Sequence, residues 1–98
     1  MIVRIVKMTF QPEKTNEFIS FFEEYKEQIR NFPGCIYLQV LQDKNNPNII
    51  FSYSHWSSDE DLDNYRKSEL FSNVWPRTKE LFLSAPEAWS TVVLHDMH

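Results

Sequence analysis

The sequence predicts an α+β fold, a four-stranded antiparallel sheet in the order β-α-β-β-α-β, the ferredoxin-like plan. Two periodicities and two turn signals predict it. Apolar residues alternate in four short segments and recur every three or four residues in the segments between them. Phe32-Pro33-Gly34 and Asp43-Lys44-Asn45-Asn46-Pro47-Asn48 carry turn chemistry. At 98 residues the chain makes one domain, residues 1–98.

The first strand is expected over Ile2 to Phe10, ended by Pro12, which lacks a ladder donor. The helix after it places Phe18, Phe22, Tyr25 and Ile29 on one face, with charged residues on the rest. Gly34 stops it by taking the left-handed conformation. The second strand runs from Cys35 to Asp43 and the third from Ile49 to Trp56, a hairpin with a long loop. Ser57 and Glu60 form a capping box that opens a second helix. Ser68 caps a further helical stretch through Phe71, Val74 or Trp75, Thr78, and Leu81 or Phe82, with Pro76 either kinking it or sitting in its first turn. Trp89 to His95 alternates as a last strand.

Composition excludes several functions. The net charge is −4 and every basic residue is interleaved with acids, so no nucleic-acid surface is expected. No apolar run approaches the ~20 residues that span a bilayer. Met1-Ile2-Val3-Arg4 does not read as a signal peptide. Cys35 is the only cysteine and allows no internal disulfide, which fits a reducing cytoplasm, the expected location. Gly34 is the only glycine, whereas dinucleotide turns and Walker loops need several.

Three of the strands are apolar on both faces. Two helices cover one face of such a sheet and leave an apolar patch too large for a soluble monomer. The expectation is a symmetric homodimer with the sheets packed face to face.

Aromatics make up 15% of the chain. Tyr53, Trp56, Tyr65, Phe71 and Trp75 crowd one stretch, and two readings fit them: walls of a pocket for a small aromatic ligand, or ordinary core. His55 is the candidate base, since its ordinary pKa of ~6.5 lets it accept a phenol proton, or it is a histidine at an exposed strand end. It shares a strand face with Tyr53 and Phe51. Ser52 and Ser54 share the other face with Trp56, where they leave a cavity or admit a partner sheet. Arg4 interrupts an apolar strand; it either holds a substrate oxyanion or pairs with an acid across a dimer interface. Arg66 reads as a solvated helix charge. His95 and His98 make a poor metal pair, since odd separations on a strand face opposite ways.

Order and spacing of local motifs add a resemblance. Pro12 precedes the first helix, and Pro33-Gly34-Cys35 precedes the second strand. Tyr53-Ser54-His55-Trp56 closes the third, and Leu62, Tyr65, Lys67-Ser68 and Phe71 follow. In these the chain resembles the antibiotic biosynthesis monooxygenase family of dimeric α+β barrels, over nearly its whole length. The resemblance implies oxidation of a small phenolic or quinol compound by O₂ with no cofactor and no metal. In that reading His55 is catalytic, and Tyr53, Trp56, Tyr65, Phe71, Trp75 and Arg4 bind substrate. Two departures count against it: Ser54 stands where the family often has Glu, and Leu70 where it often has His. They favour the alternative, a non-catalytic dimeric small-molecule-binding or stress-related module. An isomerase or lyase acting on a small cyclic acid also fits the barrel. Haem degradation fits poorly, because Lys7, Tyr65 and Trp75 occupy the positions of the Asn, Trp and axial His of the haem-degrading branch.

Overall fold

The computed structural model describes residues 1–98. The strands are β1 (Ile2–Thr9), β2 (Cys35–Gln42), β3 (Ile49–Trp56) and β4 (Glu87–Thr91). The helices are α1 (Thr15–Arg30), α2 (Asp59–Arg66) and α3 (Glu69–Lys79), with a short 3₁₀ turn at Pro12–Lys14. The strands form one antiparallel sheet in the order β2-β3-β1-β4, the expected ferredoxin-like arrangement. All three helices contribute to its covered face. No helix is long and apolar enough to cross a membrane.

Register decides which residues share a face. Arg4 lies between Ser54 on β3 and Ser90 on β4, and Val6 lies between Ser52 and Ala88. Side chains alternate along a strand, so these residues and Met8, Trp56 and Leu38 all point to the helix side. Ile5, Phe51, Tyr53, His55, Tyr37 and Trp89 point to the other side, where no helix packs.

The core lies between helices and sheet. Met8, Phe10, Phe18, Phe21, Ile29, Ile50, Val74 and Leu81 are buried together. Phe10 stacks on Phe18 with ring centroids 4.4 Å apart, and each such buried Phe stabilises the fold by about 1.5–3 kcal/mol. Cys35, Trp56 and Leu62 form a smaller cluster at the other end. Burial pushes the Cys35 thiol up from its ordinary pKa, which suits packing rather than reactivity.

Three details, besides one-residue shifts at the ends of β1 and β2, differ from the sequence expectations. β4 is Glu87–Thr91 rather than Trp89–His95. It pairs only with β1, and the ladder ends at Val3↔Thr91, one residue from the start of β1, which is too short to carry a strand on to His95. The cap of α2 is Ser58, whose Oγ accepts from the Asp61 N–H at 3.1 Å. Ser57 instead donates through its backbone N–H to the Gly34 carbonyl at 2.9 Å, tying the third strand's end to the α1–β2 turn. The buried face of α1 includes Phe21, because α3 covers that flank; Arg77 lies over the Phe21 ring at 4.2 Å. Pro76 lies in the interior of α3.

Gly34 is needed where it stands. Its φ is +90°, and a Cβ there would collide with the Asp61 side chain at the start of α2.

Candidate ligand cavity

Between the sheet and the helices lies a cavity of about 240 Å³. Its floor is the helix side of the sheet: Arg4, Val6 and Met8 from β1, Ser52, Ser54 and Trp56 from β3, Leu38 from β2 and Ala88 from β4. Its roof is Leu62, Tyr65 and Arg66 from α2, Phe71, Val74, Trp75 and Thr78 from α3, and Phe18, Phe22 and Ile29 from α1. The hollow has a local cause. Ser52 and Ser54 are small on the inner strand β3, and Ala88 is small on the edge strand β4, where larger residues would reach towards the roof.

One wall is a chain of rings. Trp56 stacks on Tyr65 at 4.9 Å, Tyr65 meets Phe71 edge-on at 5.2 Å, and Phe71 stacks on Trp75 at 5.8 Å. The α2–α3 junction sets this geometry. Ser68 Oγ donates to the Tyr65 carbonyl at 2.6 Å and accepts from the Phe71 N–H at 3.1 Å, so one hydroxyl fixes the backbone of both rings. Trp56 is 1% exposed, and its indole Nε1 donates to Ser54 Oγ at 3.0 Å. That bond leaves the Ser54 hydroxyl proton free to point into the cavity.

The cavity's charge is one-sided. Arg4 and Arg66 line it, and no Asp or Glu does. Arg4 Nη1 donates to Ser90 Oγ at 3.0 Å, which holds the guanidinium over the floor. Burial, and secondarily the Arg66 charge, push the Arg4 pKa down from its ordinary value. Burial raises the Tyr65 phenol well above its usual range, so its OH stays protonated at neutral pH and acts as a hydrogen-bonding group, not as a base.

The sequence profile of the family described as "Antibiotic biosynthesis monooxygenase" matches residues 1–75. The chain belongs to that family. The matched span ends at Trp75 and takes in the whole ring chain and both cavity arginines. Among solved structures, a crystal structure of an antibiotic biosynthesis monooxygenase superposes with TM-score 0.90 at 18% identity, covering 97% of this chain and 100% of that one. A conserved protein from Methanosarcina mazei Go1 does so with TM-score 0.86 at 27% identity, over 93% and 91%. Rv0793 from Mycobacterium tuberculosis gives TM-score 0.89 at 14% identity, over 99% and 98%. No curated protein sequence matches the chain.

Within this family fold the expected site residues divide. Trp56, Tyr65, Phe71, Trp75 and Arg4 line the cavity together. Tyr53 and His55 do not. They lie on the opposite sheet face, where His55 sits 5.1 Å from the Tyr53 ring and 5.2 Å from Tyr37. His55 Nε2 is buried there without a hydrogen-bond partner. The parity of β3 separates them: 52, 54 and 56 face the helices, 53 and 55 face away. Arg4 faces the cavity and bonds within its own sheet, so pairing with an acid across the open sheet face does not fit its position. Arg66 is exposed, as expected of a solvated helix charge, and in addition lines the cavity. Ser52 and Ser54 carried the usable signal, as small residues beside a Trp on an otherwise apolar face.

Proposed function

We propose that the chain is a cofactor-independent monooxygenase that oxidises a small phenolic or quinol compound with O₂. The observation that supports this reading is the aromatic-walled cavity whose only charged lining groups are two arginines. An anionic phenolate binds there against Arg4 and Arg66, which favour the ionised ring over the neutral phenol.

The chemistry then needs only the ring and oxygen. The phenolate passes one electron to O₂, giving a phenoxyl radical and superoxide. These combine at the ring carbon para to the oxygen. The O–O bond of the resulting hydroperoxide breaks as the C–H proton leaves, and the products are a quinone and water. Phenol plus O₂ equals quinone plus water, so no outside reductant enters. The protein's tasks are to hold the ring flat, favour its ionised form and exclude water.

Oxygen uptake with a panel of dihydroxyaromatics, run with added chelator, tests the reading. Uptake above the uncatalysed rate is expected for at least one member, and none for any member would remove it. One observation favours a second reading, a non-catalytic binding module of the same fold. No lining residue titrates as a base near neutral pH, and Ser54 and Leu70 stand where the family often has Glu and His. Ligand binding with no oxygen uptake would select it.

We also propose a homodimer formed through the open sheet face. Tyr37, Leu41 and Trp89 are 42%, 42% and 45% exposed on that side, a contiguous apolar surface of the kind that marks an interface.

A further inference from the structure

The chain has four arginines. Two are satisfied by the protein itself. Arg30 donates to the Cys35 carbonyl at 2.9 Å, and Arg77 lies over the Phe21 ring at 4.2 Å. The other two, Arg4 and Arg66, line one cavity, and neither has an ion pair. Arg4 has only the Ser90 hydroxyl, and Arg66 has no hydrogen-bond partner in the protein. On a chain of net charge −4, two like charges meet at an apolar hollow that contains no carboxylate.

That arrangement has a cost. Arg4 is partly desolvated and lies within the field of Arg66, and its lowered pKa records both penalties. Packing does not explain it, since a Leu at position 4 would fill the floor without either penalty. Helix electrostatics explain why Arg66 is tolerated at the end of α2, but not why it lines the same cavity as Arg4.

We propose that this cavity takes a one- or two-ring aromatic acid, with its carboxylate between Arg4 and Arg66 and its ring against Tyr65, Phe71 and Trp75. The argument for a carboxylate is chemical. The cavity has no base near neutral pH, so the ligand that neutralises both arginines most readily is one that arrives already charged. A carboxylic acid, with an ordinary pKa near ~4, does so at no cost, whereas a phenol near ~10 arrives neutral and must give up its proton in the field of the arginines. A carboxylate also offers two oxygens in one plane, matching a guanidinium fork on either side. The volume of about 240 Å³ lies just below the ~300 Å³ at which drug-sized sites begin, which limits the ligand to one or two rings. The inference rests on the reading of this cavity as the ligand site, and is independent of whether the ligand is then oxidised. Combined with the proposed oxidation, it makes the substrate a hydroxylated aryl carboxylate whose carboxylate and ring oxygen share the arginine pair.

The test is isothermal titration of the full chain with 1-hydroxy-2-naphthoate and with its carboxamide, which has the same shape and no charge. The acid is expected to bind about tenfold more tightly than the amide, the contribution of a charge-assisted hydrogen bond in a partly dry site. Arg66→Gln, at an exposed helix position that keeps the fold, should lower acid affinity about threefold and leave the amide unchanged. Arg4→Gln should remove most of the remaining preference. Arg4→Lys covers the case where that variant folds poorly, keeping the charge but losing the fork. Equal affinity for acid and amide in the wild type overturns the inference and leaves the ligand site standing. An acid preference untouched by any of the arginine variants also overturns it. Binding of neither probe removes the ligand-site reading together with the inference.

Discussion

The two faces of this one sheet are built from the same strands and hold different things. The helix side carries Arg4, Ser52, Ser54 and Trp56 beneath a roof of Tyr65, Phe71 and Trp75, and encloses a cavity. The open side carries Tyr37, Tyr53, His55 and Trp89, with Lys7 and Glu87 at its rim 3.7 Å apart. Both sides are aromatic, so ring content alone does not say which one binds a ligand. What distinguishes them is relief. Small residues in the floor leave a hollow on one side, while large rings on the other pack against each other and leave a surface suited to a second surface.

Core position predicts the largest difference between the faces. Trp56→Ala should cost about 3–5 kcal/mol, because it empties a fully buried ring site and frees Ser54 from its bond. Tyr53→Ala, three residues earlier on the same strand and on the opposite face, should cost well under half as much when tested in a preparation kept monomeric. Urea denaturation of both variants checks this. Comparable losses would mean that the two faces are equally part of the core.

Tyr65 gives a pH signature of the covered side. Its folded pKa is raised by burial above the unfolded value of 10.0. Below that value both states carry the phenol proton, and the group makes stability neither rise nor fall. Above it the unfolded chain loses the proton while the folded chain keeps it, so stability falls as pH rises, by about 1.4 kcal/mol per unit. Wild type minus Tyr65→Phe, measured by denaturation from pH 9 to about 11, should isolate that slope. A flat difference would mean that the Tyr65 ring is open to water. Tyr53→Phe on the open side serves as the control.

The open face should respond to charge rather than to truncation. Trp89→Glu should weaken self-association by at least about tenfold, the effect of burying an unpaired charge in an interface. Binding of an aromatic ligand in the cavity should persist, since Trp89 faces away from it. Light scattering across a dilution series reads the first and titration the second. A stable wild-type monomer at micromolar concentration would contradict the proposed interface outright.

How far the sequence reaches also divides along these faces. The α+β order, three of four strands and the parity of β3 were legible, because alternation and helical spacing are local. Ser52, Ser54 and Trp56 could be grouped against Tyr53 and His55 from sequence alone. Which group meets the helices could not, because β1 is apolar on both sides and parity has no sign until the helices dock. The last strand was displaced for a related reason. Val92 and Leu94 continue the alternation, but a strand needs a partner, and the end of β1 is a tertiary fact. Ser57 lost the cap to Ser58 because its Oγ and its backbone N–H both donate to the Gly34 carbonyl. The cavity side of Arg66 went unread because it depends on what lies across a cavity, and no local pattern records that.

The smallest expected effect is the sharpest test of the comparison. His55 has the side chain that a base needs, and a base acting on a ligand in the cavity must reach its proton within about 2.6–3.2 Å or through one water. The sheet itself stands between His55 and that cavity. Its Nε2 is buried beside Tyr37 and Tyr53 with no partner, an environment that a second sheet would complete more readily than a substrate would. His55→Ala should therefore leave oxygen uptake and cavity binding unchanged, while Tyr37 and Tyr53 lose a packing neighbour and self-association weakens slightly. If oxygen uptake instead collapses in His55→Ala and ligand affinity for the cavity stays intact, the reaction belongs to the open face. The substrate would then sit between two sheets, and the cavity under the helices would be a binding site without the chemistry.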